Sequence, residues 1–106
     1  MTQTDLSQYF RDSHTLPRTT QLVRETGLRS ILLHLNAGET IPEHQAPGAI
    51  TVQCLTGEVT FNAGEEKAQL TGGRLISLAP RQPHSLSATQ ESLLLVTLSE
   101  QPPEKT

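Results

Sequence analysis

The chain is poor in rings and in sulfur. Its 106 residues include no tryptophan, and beyond the histidines only Tyr9, Phe10 and Phe61 carry aromatic rings. Cys54 is the single cysteine, so no intrachain disulfide can form and a reducing compartment is expected. No apolar run approaches the length of a membrane span. The N-terminus, Met-Thr-Gln-Thr-Asp, lacks the basic and apolar regions of a signal peptide. The eight basic residues are scattered and the net charge is −3, which argues against a nucleic-acid partner. There is neither a Gly-x-Ser-x-Gly elbow nor a glycine-rich phosphate loop. These absences lead to the expectation of a cytoplasmic protein with no nucleic-acid or membrane partner.

Hydrophobic residues make up 34% of the chain, lean for one domain of this length. A fold that closes on itself, added burial in an oligomer, or both would offset that. At the N-terminus, Asp5 followed by Gln8 resembles a capping box, and Leu6, Tyr9 and Phe10 fall on one face of a short helix. Residues 1–15 are therefore expected to form a helical arm that docks on the domain or on a partner subunit. From Leu16 the pattern is β. Ile31, Leu33 and Leu35 share a face, as do Ile50, Val52 and Cys54, then Val59, Phe61 and Ala63, then His84, Leu86 and Ala88. Turn signals recur at Thr26-Gly27, Ala37-Gly38, Pro47-Gly48, Thr56-Gly57, Ala63-Gly64 and Thr71-Gly-Gly73. Many short strands at that spacing predict an all-β sandwich or barrel over residues 16–99. The apolar run Leu93 to Leu98 closes the set as a buried strand. The proline-containing tail, residues 100–106, is expected to be disordered.

Two segments stand out. One runs from Gly38 through Pro42 to His44 and on to Gly57. The other runs from Gly73 through Pro80 and Pro83 to His84. In both, a glycine opens a strand that leads to a histidine placed by proline. By alternation, His84 points to the apolar side. A histidine there must be hydrogen-bonded, neutral or metal-bound, because an unpaired buried polar group is costly. His34 falls on the opposite face from Leu33 and Leu35 and reads as a solvated or interface residue. Ser85 and Ser87 alternate with His84 and point to the other face, which argues against a serine nucleophile.

In order and spacing the two segments resemble the paired motifs of the cupin superfamily. The resemblance covers roughly residues 18–98. It implies a double-stranded β-helix, the RmlC-like jelly-roll barrel, with the short N-terminal helix appended. It also implies a metal set of three histidines and a glutamate on the barrel axis. Here His44 and His84 match the first and last histidines, while Ala46 stands at the second histidine position and Ile50 at the glutamate. Two imidazoles without a carboxylate make a poor iron or manganese site, and a catalytic metal ordinarily takes three protein ligands.

The expected pocket is lined by Leu33 or Leu35, Ala46, Ile50, Val52, Cys54, Phe61 and Leu86. His44 and His84 are its polar groups and its candidate ligands for a divalent zinc, nickel, iron, manganese or copper ion. Cys54 is a candidate third ligand, and Gln45 a candidate for orienting a bound molecule. Three functions fit. One is a homodimeric barrel that binds a small molecule, similar to the ligand-binding barrels that accompany transcription regulators. The second is a metal-dependent oxygenase or isomerase. The third is a structural barrel whose histidines are only hydrogen-bonded.

Overall fold

Each alternating segment becomes a strand in the computed structural model, which describes residues 1–100. The tail expected from residue 100 falls, beyond Glu100, outside the described residues. Among the described residues nine strands form: β1 Thr19–Glu25, β2 Leu28–Leu35, β3 Thr40–His44, β4 Ile50–Thr56, β5 Glu58–Ala63, β6 Glu66–Thr71, β7 Leu75–Leu78, β8 His84–Ala88 and β9 Ser92–Ser99. They make a five-stranded sheet, β1-β2-β9-β4-β7, and a four-stranded sheet, β3-β8-β5-β6. Every pairing is antiparallel. The expected N-terminal helix is a 3-10 turn, Leu6–Tyr9, followed by a second at Ser13–Thr15. Asp5 caps the first, its carboxylate accepting from the Ser7 N–H at 3.0 Å. One such turn is too short to gather all three apolar residues. Leu6 and Tyr9 are half-buried, while Phe10 stays 42% exposed.

Register decides which residues meet. Leu94 pairs with both Leu33 and Cys54, and Val96 with both Ile31 and Val52. Val59 and Phe61 of the other sheet pair with Ala88 and Leu86. The two inward faces together form one core cluster that includes Leu33, Leu35, Val52, Cys54, Val59, Phe61, Leu86 and Leu94. Leu35, Cys54, Val59, Leu70, Ala88 and Leu94, at one end of the strands, are all 3% exposed or less. The other end gathers the start of β2, β4 and β8 and the end of β3, β7 and β9.

The outward face of β2 is less polar than its composition implies. Leu32 is buried there, and so is His34, which was expected in solvent or at an interface. That expectation is corrected: the His34 backbone N–H donates to Arg18 O at 2.7 Å, and its Nε2 lies 2.8 Å from Glu91 Oε2. The ring can be buried because Glu91 supplies a partner.

Gly57 joins β4 to β5 at φ +93°, where L residues are strained. A Cβ there would also collide with Glu91 O and Ser92 Oγ. Gly48 is needed for close approach alone, since a Cβ would run into Ser99 O. These two glycines let the turn between β4 and β5 and the loop before β4 lie directly against β9.

Candidate functional site

The two histidines, forty residues apart in sequence, are direct cross-strand partners between β3 and β8. What brings them together is a bulge. Ile41 pairs with Leu86 and His44 with His84, so β3 takes three steps where β8 takes two. The extra residue falls at Pro42-Glu43. Proline is tolerated there because β3 is an edge strand. By strict alternation, Ile41 and His44 would face opposite ways. The bulge shifts the phase so that both meet inward-facing partners. The ring centroids of His44 and His84 lie 4.2 Å apart at 62°, edge to face. Phe61 stacks nearly parallel to His84 at 5.6 Å, with 12° between the planes.

Both imidazoles are held the same way. His44 Nδ1 lies 2.9 Å from Pro42 O, and His84 Nδ1 lies 2.9 Å from Gln82 O. A carbonyl can only accept, so each Nδ1 carries the proton and donates it. In the neutral ring each Nε2 then keeps its lone pair. Burial pushes the His84 pKa below the ordinary histidine value. The Gln82 carbonyl opposes this, and the neighbouring His44 adds to the lowering. His84 is buried, whereas His44 is exposed at the rim.

The loop before β8 is fastened to the loop after β3. Arg81 adopts φ +61°, unusual for a residue with a side chain, and its N–H donates to Ala46 O at 2.7 Å. The Ala79 N–H donates to Gln82 Oε1 at 3.1 Å. The carbonyl that orients His84 therefore sits in a braced turn.

These elements surround a cavity of about 290 Å³. Its wall includes His44, Gln45, Ala46, Pro47, Ile50, Val52, Phe61, His84 and Leu86, closed off by Ile31, Leu33, Val96 and Leu98. Its lining is chiefly apolar. Phe61 also borders a smaller cavity of about 150 Å³, which reaches Glu66, Lys67 and Gln82.

Cys54 does not join this wall. It follows Val52 along β4 toward the closed end of the barrel, where it is fully buried and paired with Leu94. Its Sγ lies 3.4 Å from Thr56 O and 3.7 Å from Gly57 O. Burial raises its pKa, which keeps it a thiol rather than the thiolate a metal binds. Leu35 lies at that same end. Ile31, Pro47, Val96 and Leu98 line the cavity but were not among the expected pocket residues. The signal for the latter two was the alternation of Leu94, Val96 and Leu98, hidden inside a continuous apolar run.

Chemically, the site offers two imidazole nitrogens, one amide and an apolar wall. Among the described residues, no group of three or more His, Cys, Asp or Glu side chains could hold a metal ion. Ala46 and Ile50 occupy the wall where the superfamily pattern would place two more ligands. Two imidazole nitrogens without a carboxylate do not fit a resident catalytic metal.

A family model described as the AraC-like ligand binding domain matches residues 27–98. No curated protein matches the chain. Several solved structures share the fold. A conserved protein of unknown function from Streptococcus pyogenes is 24% identical, with 80% of this chain and 75% of that one covered, at a TM-score of 0.73. An RmlC-like cupin protein from Desulfovibrio desulfuricans is 21% identical over 93% of this chain and 96% of that one, at 0.75. A cupin-2 domain protein from Shewanella frigidimarina is 10% identical over 92% and 94%, at 0.76. At these identities the likeness is one of fold.

Proposed function

The chain belongs to the AraC-like ligand-binding domain family, within the cupin superfamily, and from that premise we propose that it is a binding module whose barrel takes up one small organic molecule. The observation that carries this reading is the cavity beside His44 and His84. It is mostly apolar with a few convergent polar groups, the ordinary character of a small-molecule site. A volume of about 290 Å³ suits a molecule the size of a monosaccharide or a single-ring compound. Ile50, Val52, Phe61 and Leu86 would cover its apolar surface. The Nε2 atoms of His44 and His84 would accept hydrogen bonds from it, and Gln45 would set its orientation at the rim. We place the protein in the cytoplasm as a homodimer. The lone cysteine fits that compartment. Leu75, 61% exposed on edge strand β7, supplies apolar surface for a second copy.

A second reading has one observation in its favour. A histidine that binds a metal through Nε2 commonly donates its Nδ1 proton to a carbonyl, as both do here. A divalent zinc, nickel, iron, manganese or copper ion would then take its remaining donors from solvent or from the bound molecule. The oxygenase and isomerase functions both depend on that ion.

Thermal-shift screening of a small-molecule library tests the first reading, with wild type beside Leu86→Trp, which fills the cavity. Compounds that raise the wild-type Tm and leave the variant unmoved support it. Equal shifts in both proteins, or none in either, would count against it. Metal content of the untagged protein, beside His44→Ala and His84→Ala, decides the second. Near-stoichiometric metal lost in both variants supports it, and its absence after reconstitution ends it.

A further inference from the structure

Among the described residues no Asp, Glu, Lys or Arg lines the cavity described above, but the strand that forms part of its wall carries an arginine two residues before it. Arg29 precedes Ile31 by two residues in β2, within a stretch whose pairing to β9 is unbroken. Strand alternation therefore puts Arg29 on the inward face with Ile31 and Leu33. Its cross-strand partner is Leu98, which in turn pairs with Ile50. Ile31, Leu98 and Ile50 all line the cavity. The side chain thus starts one pleat repeat, about 6–7 Å, from the wall, within reach of an extended arginine.

Two further observations set Arg29 apart. Its Nε is buried and has no hydrogen-bond partner among the described residues. A buried donor without an acceptor is uncommon and unfavourable, and calls for an explanation. Arg29 also pairs directly with Arg24 across β1 and β2, so two arginine side chains start from the same face at opposite positions. Like charges placed opposite one another repel unless an anion lies between them. Arg24 borders a shallow crevice with Glu25 and Glu100, yet the ion pairs among the described residues are Arg18–Glu39 and His34–Glu91. Neither involves Arg24 or Arg29.

We infer that Arg29, with Arg24 adding to the local positive field, is the anion anchor of this cavity, and that the preferred ligand is a small organic carboxylate whose apolar body lies against Ile50, Val52 and Leu86. The inference rests on the ligand-binding reading and narrows it. A guanidinium presents a planar donor fork that matches a carboxylate. An acid with its ring or chain beside Phe61 would leave its charge toward the end of the wall from which Arg29 reaches.

The test uses matched acid and amide probes: benzoate against benzamide, phenylacetate against phenylacetamide, and 4-methylpentanoate against 4-methylpentanamide. Affinities are measured by calorimetry on wild type, Arg29→Gln, Arg29→Lys and the cavity-blocking Ile50→Phe. At least one acid should bind wild type about tenfold or more tighter than its amide, the scale of one charge-assisted hydrogen bond. Arg29→Gln should bring the acid down to its amide, with the amide unchanged, and Ile50→Phe should abolish both. Should Arg29→Gln fail to fold, Arg29→Lys carries the test, because losing the fork should still weaken the acid and spare the amide. Equal binding of acids and amides to wild type, or a preference that survives Arg29→Gln, overturns the anchor and leaves the cavity reading standing. If neither acids nor amides bind at millimolar concentration, the anchor and the ligand-binding reading fall together.

Discussion

The two ends of the barrel are built from the same strands but packed differently. Along β4, Cys54 is fully buried, while Ile50 lines a cavity. Along β9, Leu94 is fully buried, while Leu98, four residues on, is only half-buried and borders the same space. Along β2, Leu35 is fully buried, and the inward face then passes through Ile31 to the half-buried Arg29. The closed end, where Leu35, Cys54, Val59 and Leu94 meet, is an ordinary interior in which each apolar group has neighbours on all sides. The open end gives up that packing to leave about 290 Å³ beside two histidines. A protein this lean in apolar residues can keep an open pocket because the opposite end supplies the stability.

The comparison breaks most completely at Gly57. It holds the turn at the closed end at positive φ, and a Cβ would clash with Glu91 and Ser92. Gly57→Ala is expected to cost more than about 4 kcal/mol, the range of exceptional single substitutions. Chemical denaturation or the loss of folded protein on expression checks it. A sharper contrast pairs Leu94→Ala with Ile50→Ala on the inward face of one sheet. Leu94→Ala opens a void in a filled interior and should cost about 3–5 kcal/mol. Ile50→Ala only enlarges space that already exists, so the cavity contribution is largely absent and the cost should stay near 2 kcal/mol. Urea midpoints at a constant m-value compare them. Equal losses would mean the open end is packed as tightly as the closed one.

The open end also lends itself to gain of function. Ala46 and Ile50 stand where the superfamily pattern places ligands, and both lie in the wall that carries His44 and His84. The double change Ala46→His with Ile50→Glu should raise zinc affinity by at least about tenfold over wild type, since even outer-shell changes act on metal sites at that scale. Competition with a chromophoric chelator measures it. No gain would show that these two positions do not converge on the histidines.

The contrast between the ends was only partly legible in the sequence. The β periodicity, the turn glycines and the spacing from Gly38 to His44 and from Gly73 to His84 were enough to expect the barrel, because alternation and turn chemistry are local properties. The proximity of the two histidines came from motif resemblance, and its physical cause, the bulge at Pro42-Glu43, was not visible. A bulge depends on how two strands pair, and one strand read alone cannot announce it. Cys54 was misplaced for a related reason. Alternation gives the face of a residue but not its depth along the barrel, so an inward cysteine at the closed end looks the same as one in the wall. His34 was read as wet because its own strand gave it polar neighbours, and its partner Glu91 lies 57 residues away.

The finest distinction between the ends lies in the response to pH. Burial holds the pKa of His84 below its unfolded value, more strongly than the Gln82 carbonyl raises it. The unfolded chain therefore takes up a proton at a higher pH than the folded one. Stability rises with pH wherever the unfolded state binds more protons. The contribution of neutral His84 is thus fully present above about pH 6.5, the ordinary histidine value, and declines as pH falls through the folded pKa. Cys54 at the closed end, whose pKa burial raises, titrates at alkaline pH and adds nothing to this slope. Denaturation midpoints between pH 7.5 and 5 should therefore fall less steeply in His84→Gln than in wild type, by an amount smaller than any change above. Leu94→Ala should lower every midpoint and leave the slope as it was. If His84→Gln kept the full wild-type slope, the acid sensitivity would not come from the burial of His84.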